Sequence, residues 1–347
     1  LYPDADLHTL IHHKGSTSPT IENMSIVESK LHSWPKAHAH FRLYLPFFPR
    51  LIEQFDFSGY DLVISSSHCV AKGAKVQKNA LHICYCHTPM RYVWDMYDEY
   101  RRERGPLVKT FLAVTRRPLQ RWDVNSAERV DHFIANSKHV ADRIQRHYGR
   151  GSDVINPPVD AEFYTPEDGQ DDEYYLIVSA LVPYKRVGMA VQAFAEAGKR
   201  LIVIGTGSDA ERIKALGGPS VSFLGNVEDE TLRQYYRGAR ALIFPGEEDF
   251  GITPLEAMAC GRPVIAFGVG GATETVVEGE TGLFFHEPTA DSLMAAVDNF
   301  ERMEFTKAAA RKRATEFSRP LFMSNIRDFI ERRYNEFQEE TRSAQRP

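Results

Sequence analysis

Residues 241–267 read Ala241-Leu-Ile-Phe-Pro-Gly-Glu-Glu-Asp-Phe-Gly-Ile-Thr-Pro-Leu-Glu-Ala-Met-Ala-Cys-Gly-Arg-Pro-Val-Ile-Ala-Phe267. The apolar runs at either end predict two buried strands. Between them Thr253 suits a helix N-cap, Pro254 the first helical position and Glu256 the carboxylate of a capping box, while Gly261 stops the helix before Pro263. A helix that begins just past a strand's carboxyl end turns its free N–H groups towards the crevice where open α/β sheets bind ligands. Gly251, Ile252 and Thr253 would supply those donors. Glu256 reads equally well as a plain capping glutamate. Glu248 lies in the acidic run Glu247-Glu248-Asp249, which repels itself unless it meets a cation or many hydroxyl groups.

On both sides of this stretch, the second half of the chain repeats the strand–helix alternation. Apolar runs begin at Tyr174, Leu201, Val221, Ala241 and Val264, with amphipathic helices between them, as at 187–197 and 229–237. This alternation predicts a doubly wound parallel sheet. A hairpin-like run, Gly282-Leu-Phe-Phe, and three helices follow. The first half alternates in the same way, with strands expected at Leu62, Leu81 and His132. A kinked or split helix is expected over 41–55, where Pro46 and Pro49 interrupt an apolar pattern. The stretch 153–172 is dense in proline, glycine and acid, which marks the connection between domains.

Composition bounds the function. At 347 residues, 43% hydrophobic and 26% charged, the chain is long enough for two globular domains. A net charge of −5 argues against a general nucleic-acid binder. The four cysteines, Cys69, Cys84, Cys86 and Cys260, have neither zinc nor disulfide-framework spacing and read as reduced thiols in a cytoplasmic protein. No metal site is expected: the histidines lack partner ligands, and Asp4-Ala5-Asp6 precedes its strand instead of following one. Residues 101–123 carry seven basic residues against two acidic ones, interleaved with large apolar side chains. Segment 101–122 suits an anionic membrane surface, giving peripheral attachment at the inner face of the cell membrane, a site for an anionic lipid carrier, or a solvated helix face with snorkelling arginines.

Three further loops carry candidate chemistry. His87-Thr88-Pro89 follows the strand at Leu81 and leads to an aromatic-rich helix. Lys185 and Arg186 follow the strand at Tyr174, where a lysine suits a phosphate as a point charge. Gly205-Thr206-Gly207-Ser208-Asp209-Ala210 follows the next strand and, with Glu228 beyond it, fits the dinucleotide fingerprint. It does so at the second strand of its domain, whereas the fingerprint normally sits at the first.

Glu248, seven intervening residues and Glu256, with Phe250-Gly-Ile-Thr between them and Glu-Ala-Met-Ala-Cys-Gly-Arg-Pro-Val following, resemble the signature of retaining family 4 glycosyltransferases. Cys86-His87-Thr88-Pro89, Ser179-Ala-Leu-Val-Pro-Tyr-Lys185 and Ile155-Asn-Pro-Pro-Val-Asp160 are most similar to the branch containing bacterial O-antigen mannosyltransferases. The resemblance spans nearly the whole chain and implies the GT-B fold, two Rossmann-like domains facing across a cleft. It implies an acceptor domain over 1–155, a donor domain over 156–322 and a helix over 323–347 that returns to the first domain. It also implies a first domain whose opening strand, loop and helix lie upstream of Leu1.

Carried over residue by residue, the resemblance puts Glu256 on the donor ribose and Glu248 by the donor sugar. It puts Gly251, Ile252, Thr253 and Lys185 at the diphosphate, Phe250 among the donor-binding residues, His87 by the donor sugar and reacting phosphate, Gly205 and Gly207 along the nucleotide pocket, and Val227 near the base. Ala180 stands where the family has an arginine, with Arg186 the nearest substitute. The implied reaction needs no cofactor. It moves a sugar, with GDP-mannose the leading donor, to a glycan or polyprenyl-linked saccharide. A UDP-sugar transferase, a nucleotide-sugar epimerase, a dinucleotide-binding oxidoreductase and a non-catalytic nucleotide-sugar binder remain as alternatives.

Overall fold

The computed structural model describes residues 1–102, 105–167 and 173–344. The acidic end of the expected connection, Asp168 to Asp172, lies outside the described residues, as do Glu103 and Arg104 of the basic segment. The chain divides into two compact units. Leu1–Asn136, Val140–Ile155 and Asn325–Pro347 form the first, and Ser137–His139 with Asn156–Ser324 the second.

In the first unit β1 (Asp6–Thr9) pairs in parallel with β2 (Ser25–Glu28). A second parallel sheet runs in the order β3 (Leu62–Ser67), β4 (Leu81–Cys86), β5 (His132–Ala135), β6 (Asp153–Val154). All six residues of β4 are buried. A parallel strand covered on both faces has no polar side to show, which is why Leu-His-Ile-Cys-Tyr-Cys carries no alternation. The short helices α1 (Pro19–Glu22) and α2 (Ala37–His40) precede a 3₁₀ helix at Phe41–Phe47 that contains Pro46. α3 (Phe48–Ile52) then holds Pro49 in its first turn, so the proline-interrupted run is split as its spacing predicts. Turns over 91–96 separate β4 from α4 (Tyr97–Arg102), and α5 (Pro106–Ala127) and α6 (Lys138–Tyr148) flank β5.

The second unit has one six-stranded parallel sheet in the order β12-β11-β10-β7-β8-β9. Its strands are β7 (Tyr175–Val178), β8 (Leu201–Ile204), β9 (Val221–Gly225), β10 (Ala241–Phe244), β11 (Val264–Phe267) and β12 (Gly282–Phe285). The run at Gly282 is therefore an edge strand parallel to β11, not half of a hairpin. Its helices are α7 (Val187–Glu196), α8 (Ala210–Ala215), α9 (Asp229–Gly238), α10 (Ile252–Ala259), α11 (Ala272–Thr275), α12 (Ala290–Phe300) and α13 (Lys307–Thr315). α14 (Arg319–Ala344) closes this unit up to Ser324 and gives its remainder to the first.

Alternate strand residues feed two separate cores, the signature of a sheet wound on both faces. Leu176, Ile202, Leu242 and Val264 pack with Leu255 and Met258 of α10 and with Ala310 and Ala314 of α13. Tyr175, Ile177, Val203, Ile243 and Ile265 pack with Val191 and Phe194 of α7 and with Leu293 and Val297 of α12. Each such large aliphatic side chain contributes about 1.5–3 kcal/mol on burial, which lets strands of only four residues hold their register.

Candidate active site

β7 is flanked by β8 on one side and β10 on the other, so strand order reverses there. Loops leaving the carboxyl ends of β7 and β10 diverge at such a point and open the crevice where doubly wound sheets take ligands. The loop after β10 runs from Pro245 to Gly251. Gly251 is the N-cap of α10 at φ 85°, and a Cβ there would stand 2.8 Å from the Phe244 ring, so only glycine fits. Thr253 is consequently the second helical residue and Pro254 the third, and no side chain caps the helix. Glu256 falls at the fifth position, out of reach of a capping box. The sequence-based cap is thus displaced, because the positive φ of Gly251 lets the helix start two residues early. Among the described residues the N–H groups of Gly251, Ile252 and Thr253 have no acceptor. Gly261, at φ 79°, ends the helix where expected.

The acidic run finds its cation: the ammonium of Lys185 forms an ion pair with the Glu248 carboxylate. Both side chains keep an edge in solvent, 17% and 12% exposed. The two loops are in backbone contact here, since a Cβ on Gly246 would lie 3.0 Å from Lys185 Cα. The Glu248 carbonyl accepts the Gly271 N–H at 2.8 Å, which ties the β10 loop to the loop after β11. Ile252 stands beside this loop with 43% of its surface exposed. Phe250 does not join the site by its side chain. It is 3% exposed, packed in the core and against Phe317, because a ring in this position fills the space under α10.

Ala180 is exposed and brings no charge. Arg186 does not take the missing arginine's place. Its backbone is left-handed, at φ 54°, and its guanidinium lies 4.7 Å over the Phe267 ring, on the opposite core from α10. Lys185 is therefore the cation that the structure brings to Glu248.

Glu256 has a partner that the spacing did not reveal. The fully buried Tyr236 of α9 donates its hydroxyl to Glu256 Oε2 at 2.7 Å. Burial raises the Glu256 carboxyl above its usual range, the Tyr236 hydrogen bond opposes that rise, and the nearby Asp229 adds to it. A buried tyrosine needs a partner for its hydroxyl, and that was the available signal in the Tyr235-Tyr236 pair.

Gly205 and Gly207 serve the protein's own backbone. A Cβ on Gly205 would fall 1.9 Å from the Ser179 carbonyl oxygen and one on Gly207 2.2 Å from that of Leu181. The Gly205 N–H goes to Gly225 O at 2.8 Å and the Asp209 N–H to Leu181 O at 2.9 Å. In a dinucleotide fingerprint the glycines let a pyrophosphate approach the backbone, whereas here the β7 loop occupies that face. Asp209, held by Arg212, opens a helix of only six residues. Val227 is half-buried and packs against the core beside α9.

In the first unit His87 follows β4. Its Nε2 is 2.8 Å from Ser66 Oγ, its N–H donates to Ser67 O, and its ring meets Tyr85 edge-on at 5.2 Å. β3 and β4 thus position the imidazole at the carboxyl end of their sheet. No group of three or more His, Cys, Asp or Glu among the described residues is arranged to hold a metal ion.

Residues 8–163 match the Glycosyltransferase Family 4 model, and residues 161–317 match that of Glycosyl transferases group 1. A D-inositol 3-phosphate glycosyltransferase of Geodermatophilus obscurus is 32% identical over 245 residues, 60% of this chain and 54% of that protein. One from Rhodococcus opacus is 30% identical over 228 residues, 54% and 50% of the two chains. The chain spans about half the length of the curated relatives it matches. These relatives carry the inositol 3-phosphate name, not that of the O-antigen mannosyltransferase branch. Among solved structures, sucrose-phosphate synthase from Thermosynechococcus elongatus aligns with a TM-score of 0.73 at 21% identity, covering 95% of this chain and 89% of that one. Anabaena HepE in complex with UDP aligns at 0.63 and 18%, covering 90% and 87%. Between them the two models match residues 8–317, a Glycosyltransferase Family 4 region followed by a glycosyl transferase group 1 region, and the fold is GT-B.

Proposed function

We propose that this protein transfers a sugar from a nucleoside diphosphate to an acceptor hydroxyl with retention of anomeric configuration. The observation that carries this reading is the meeting, at the strand-order reversal, of the Lys185–Glu248 pair with the acceptor-free N–H groups that open α10. The leaving diphosphate gains negative charge in the transition state. Fixed N–H dipoles and an ammonium aimed at it stabilise that charge more than the ground state. On donor binding Lys185 turns from Glu248 to a phosphate oxygen, and Glu248 becomes an acceptor for sugar hydroxyls. Glu256, already oriented by Tyr236, accepts from the ribose diol. No second carboxylate is left to form a glycosyl-enzyme. Proton removal from the acceptor then falls to the departing phosphate.

The donor is GDP-mannose or a UDP-sugar. The acceptor is a lipid-linked saccharide or, by the name of the relatives, a phosphorylated polyol. A thermal-shift panel of GDP-mannose, UDP-glucose and NAD(P), followed by turnover on both acceptor types, tests the reading. Stabilisation and turnover by one nucleotide sugar are expected. Stabilisation by NAD(P) alone would establish the oxidoreductase alternative, and binding without turnover on any acceptor would leave a nucleotide-sugar binder.

A further inference from the structure

α5 carries no acidic residue from Pro106 to Trp122. Along its solvent side Val108 and Phe111 are each 43% exposed and Val114 70% exposed. Residues three or four apart share a helix face, so the stripe continues from Val114 through Arg117 and Arg121 to Asn125, all exposed. Neither arginine has an acidic partner among the described residues. Between Arg117, Arg121, Asn125 and Trp94 lies a concavity of ≈ 340 Å³, with Gln120 and Val124 completing its wall. The side-chain amide of Gln120 is held by the hydrogen bond it donates to Val93 O at 2.7 Å.

The acids nearby do not neutralise it. Asp95, next to Trp94, lies beside Arg143, Arg146 and His147; burial raises its carboxyl, but the His147 hydrogen bond and the Arg143 ion pair outweigh it and hold the group well below the usual carboxylate range. Asp123 is fully buried and committed to Lys72, Trp94 and Tyr148. Glu128 follows the end of α5.

We propose that this concavity is a phosphate site for the headgroups of an anionic lipid surface, with Arg117 and Arg121 as its two cations and Val108, Phe111 and Val114 as the apolar edge that enters the headgroup region. Two guanidinium groups one helical turn apart match the oxygens of one phosphate or of two neighbouring headgroups. The apolar residues are single exposed side chains in a row, too few to span a bilayer and enough to lie in its interface. No helix among the described residues is long and apolar enough to cross a membrane. This inference is independent of the transfer reaction.

Vesicle flotation with phosphatidylcholine alone and with added phosphatidylglycerol tests it, using wild type, the double variant Arg117→Gln/Arg121→Gln, Val114→Asn, and a charge-matched control, Lys30→Gln/Lys78→Gln. Wild type is expected to float only with the anionic lipid, and the arginine double variant to bind roughly 30-fold more weakly, as removal of two surface cations predicts. Val114→Asn should bind more weakly while keeping its salt dependence, and the control should bind as wild type. Circular dichroism melts establish that each variant is folded. Equal losses in the control and the arginine variant would reduce the effect to diffuse charge and overturn the site. Competition by millimolar inorganic phosphate without any vesicle binding would assign the site to a free phosphate and overturn the lipid source.

Discussion

Lys72–Asp123 in the first unit and Lys185–Glu248 in the second are both lysine–carboxylate pairs, and they differ in everything except their chemistry. In the first unit Lys72 and Asp123 are 1% and 0% exposed. Lys72 Nζ stands 2.9 Å from Asp123 Oδ1, off hydrogen-bonding geometry, and gives its hydrogens to Asp123 O and Ser126 Oγ, each at 2.6 Å. Trp94 and Tyr148 both donate to Asp123 Oδ2, and the Tyr148 ring lies 4.8 Å from the ammonium. In the second unit Lys185 and Glu248 reach solvent at the ends of their strands. A charge pair enclosed by its own donors is a fixed part of the fold, because removing either member strands the other. A pair with an open edge can exchange its partner for a ligand. The same two residue types therefore serve as a clamp in one unit and as a site in the other, and exposure decides which.

The largest expected effect breaks the first pair. Asp123→Ala should lower stability by about 3–5 kcal/mol, since it leaves the Lys72 ammonium buried and unmatched. Glu248→Gln should lower stability by less than Asp123→Ala does, because Lys185 keeps an edge in water, while abolishing transfer and keeping nucleotide affinity. Urea unfolding of both variants measures the contrast, and equal losses would end it. Next in size, Glu256→Gln should weaken nucleoside diphosphate binding by about one to two decades, roughly 1.5–3 kcal/mol for hydrogen bonds to a charged acceptor. Calorimetric titration that finds unchanged affinity would remove Glu256 from the ribose.

Lys185→Ala should weaken a nucleoside diphosphate by about tenfold more than the bare nucleoside, a difference typical of one charge-assisted contact. Equal weakening of both ligands would place Lys185 outside the diphosphate site. The smallest effect is on stability alone. Burial raises the Glu256 carboxyl, so the folded state holds its proton more tightly than the unfolded chain. The stability this gives is complete below the unfolded pKa and is lost as pH rises through the folded one. The neutral Glu256→Gln side chain has no such loss. Its melting temperature relative to wild type should therefore rise with pH from the carboxylate range to neutrality, and a difference independent of pH would contradict the buried-charge explanation.

Strands were legible wherever burial on both faces left an uninterrupted apolar run, as at Leu201 and Ala241. So was the proline-split helix, because each proline acts within one turn of itself. Glu248 and Lys185 were legible as charges needing partners, though not as each other's partner, since 62 residues of fold intervene and only the β7–β10 adjacency joins them. The N-cap was misplaced because side-chain propensity favoured Thr253, whereas a contact with Phe244 and a positive φ selected Gly251. Gly205 and Gly207 matched a ligand motif in spacing, but a glycine demanded by a neighbouring strand looks the same in sequence as one demanded by a phosphate. Phe250, placed at the donor, went to the core for a similar reason: the position beside the site is also the roof of the packing beneath it.

The division of α14 between the units has a consequence for biosynthesis. Phe329 and Ile330, both buried, belong to the first unit, where Phe329 meets His132 edge-on at 6.3 Å and Arg333 reaches Asp153 at 3.4 Å. These residues leave the ribosome only after the whole second unit has been made. Domains that are contiguous in sequence can fold in order of emergence, the first before the next. This first unit must wait with β5 and β6 uncovered until the later one has been translated. The second unit, contiguous but for three residues, is free to fold ahead of the part that precedes it, so the order of completion during translation runs opposite to the order of synthesis.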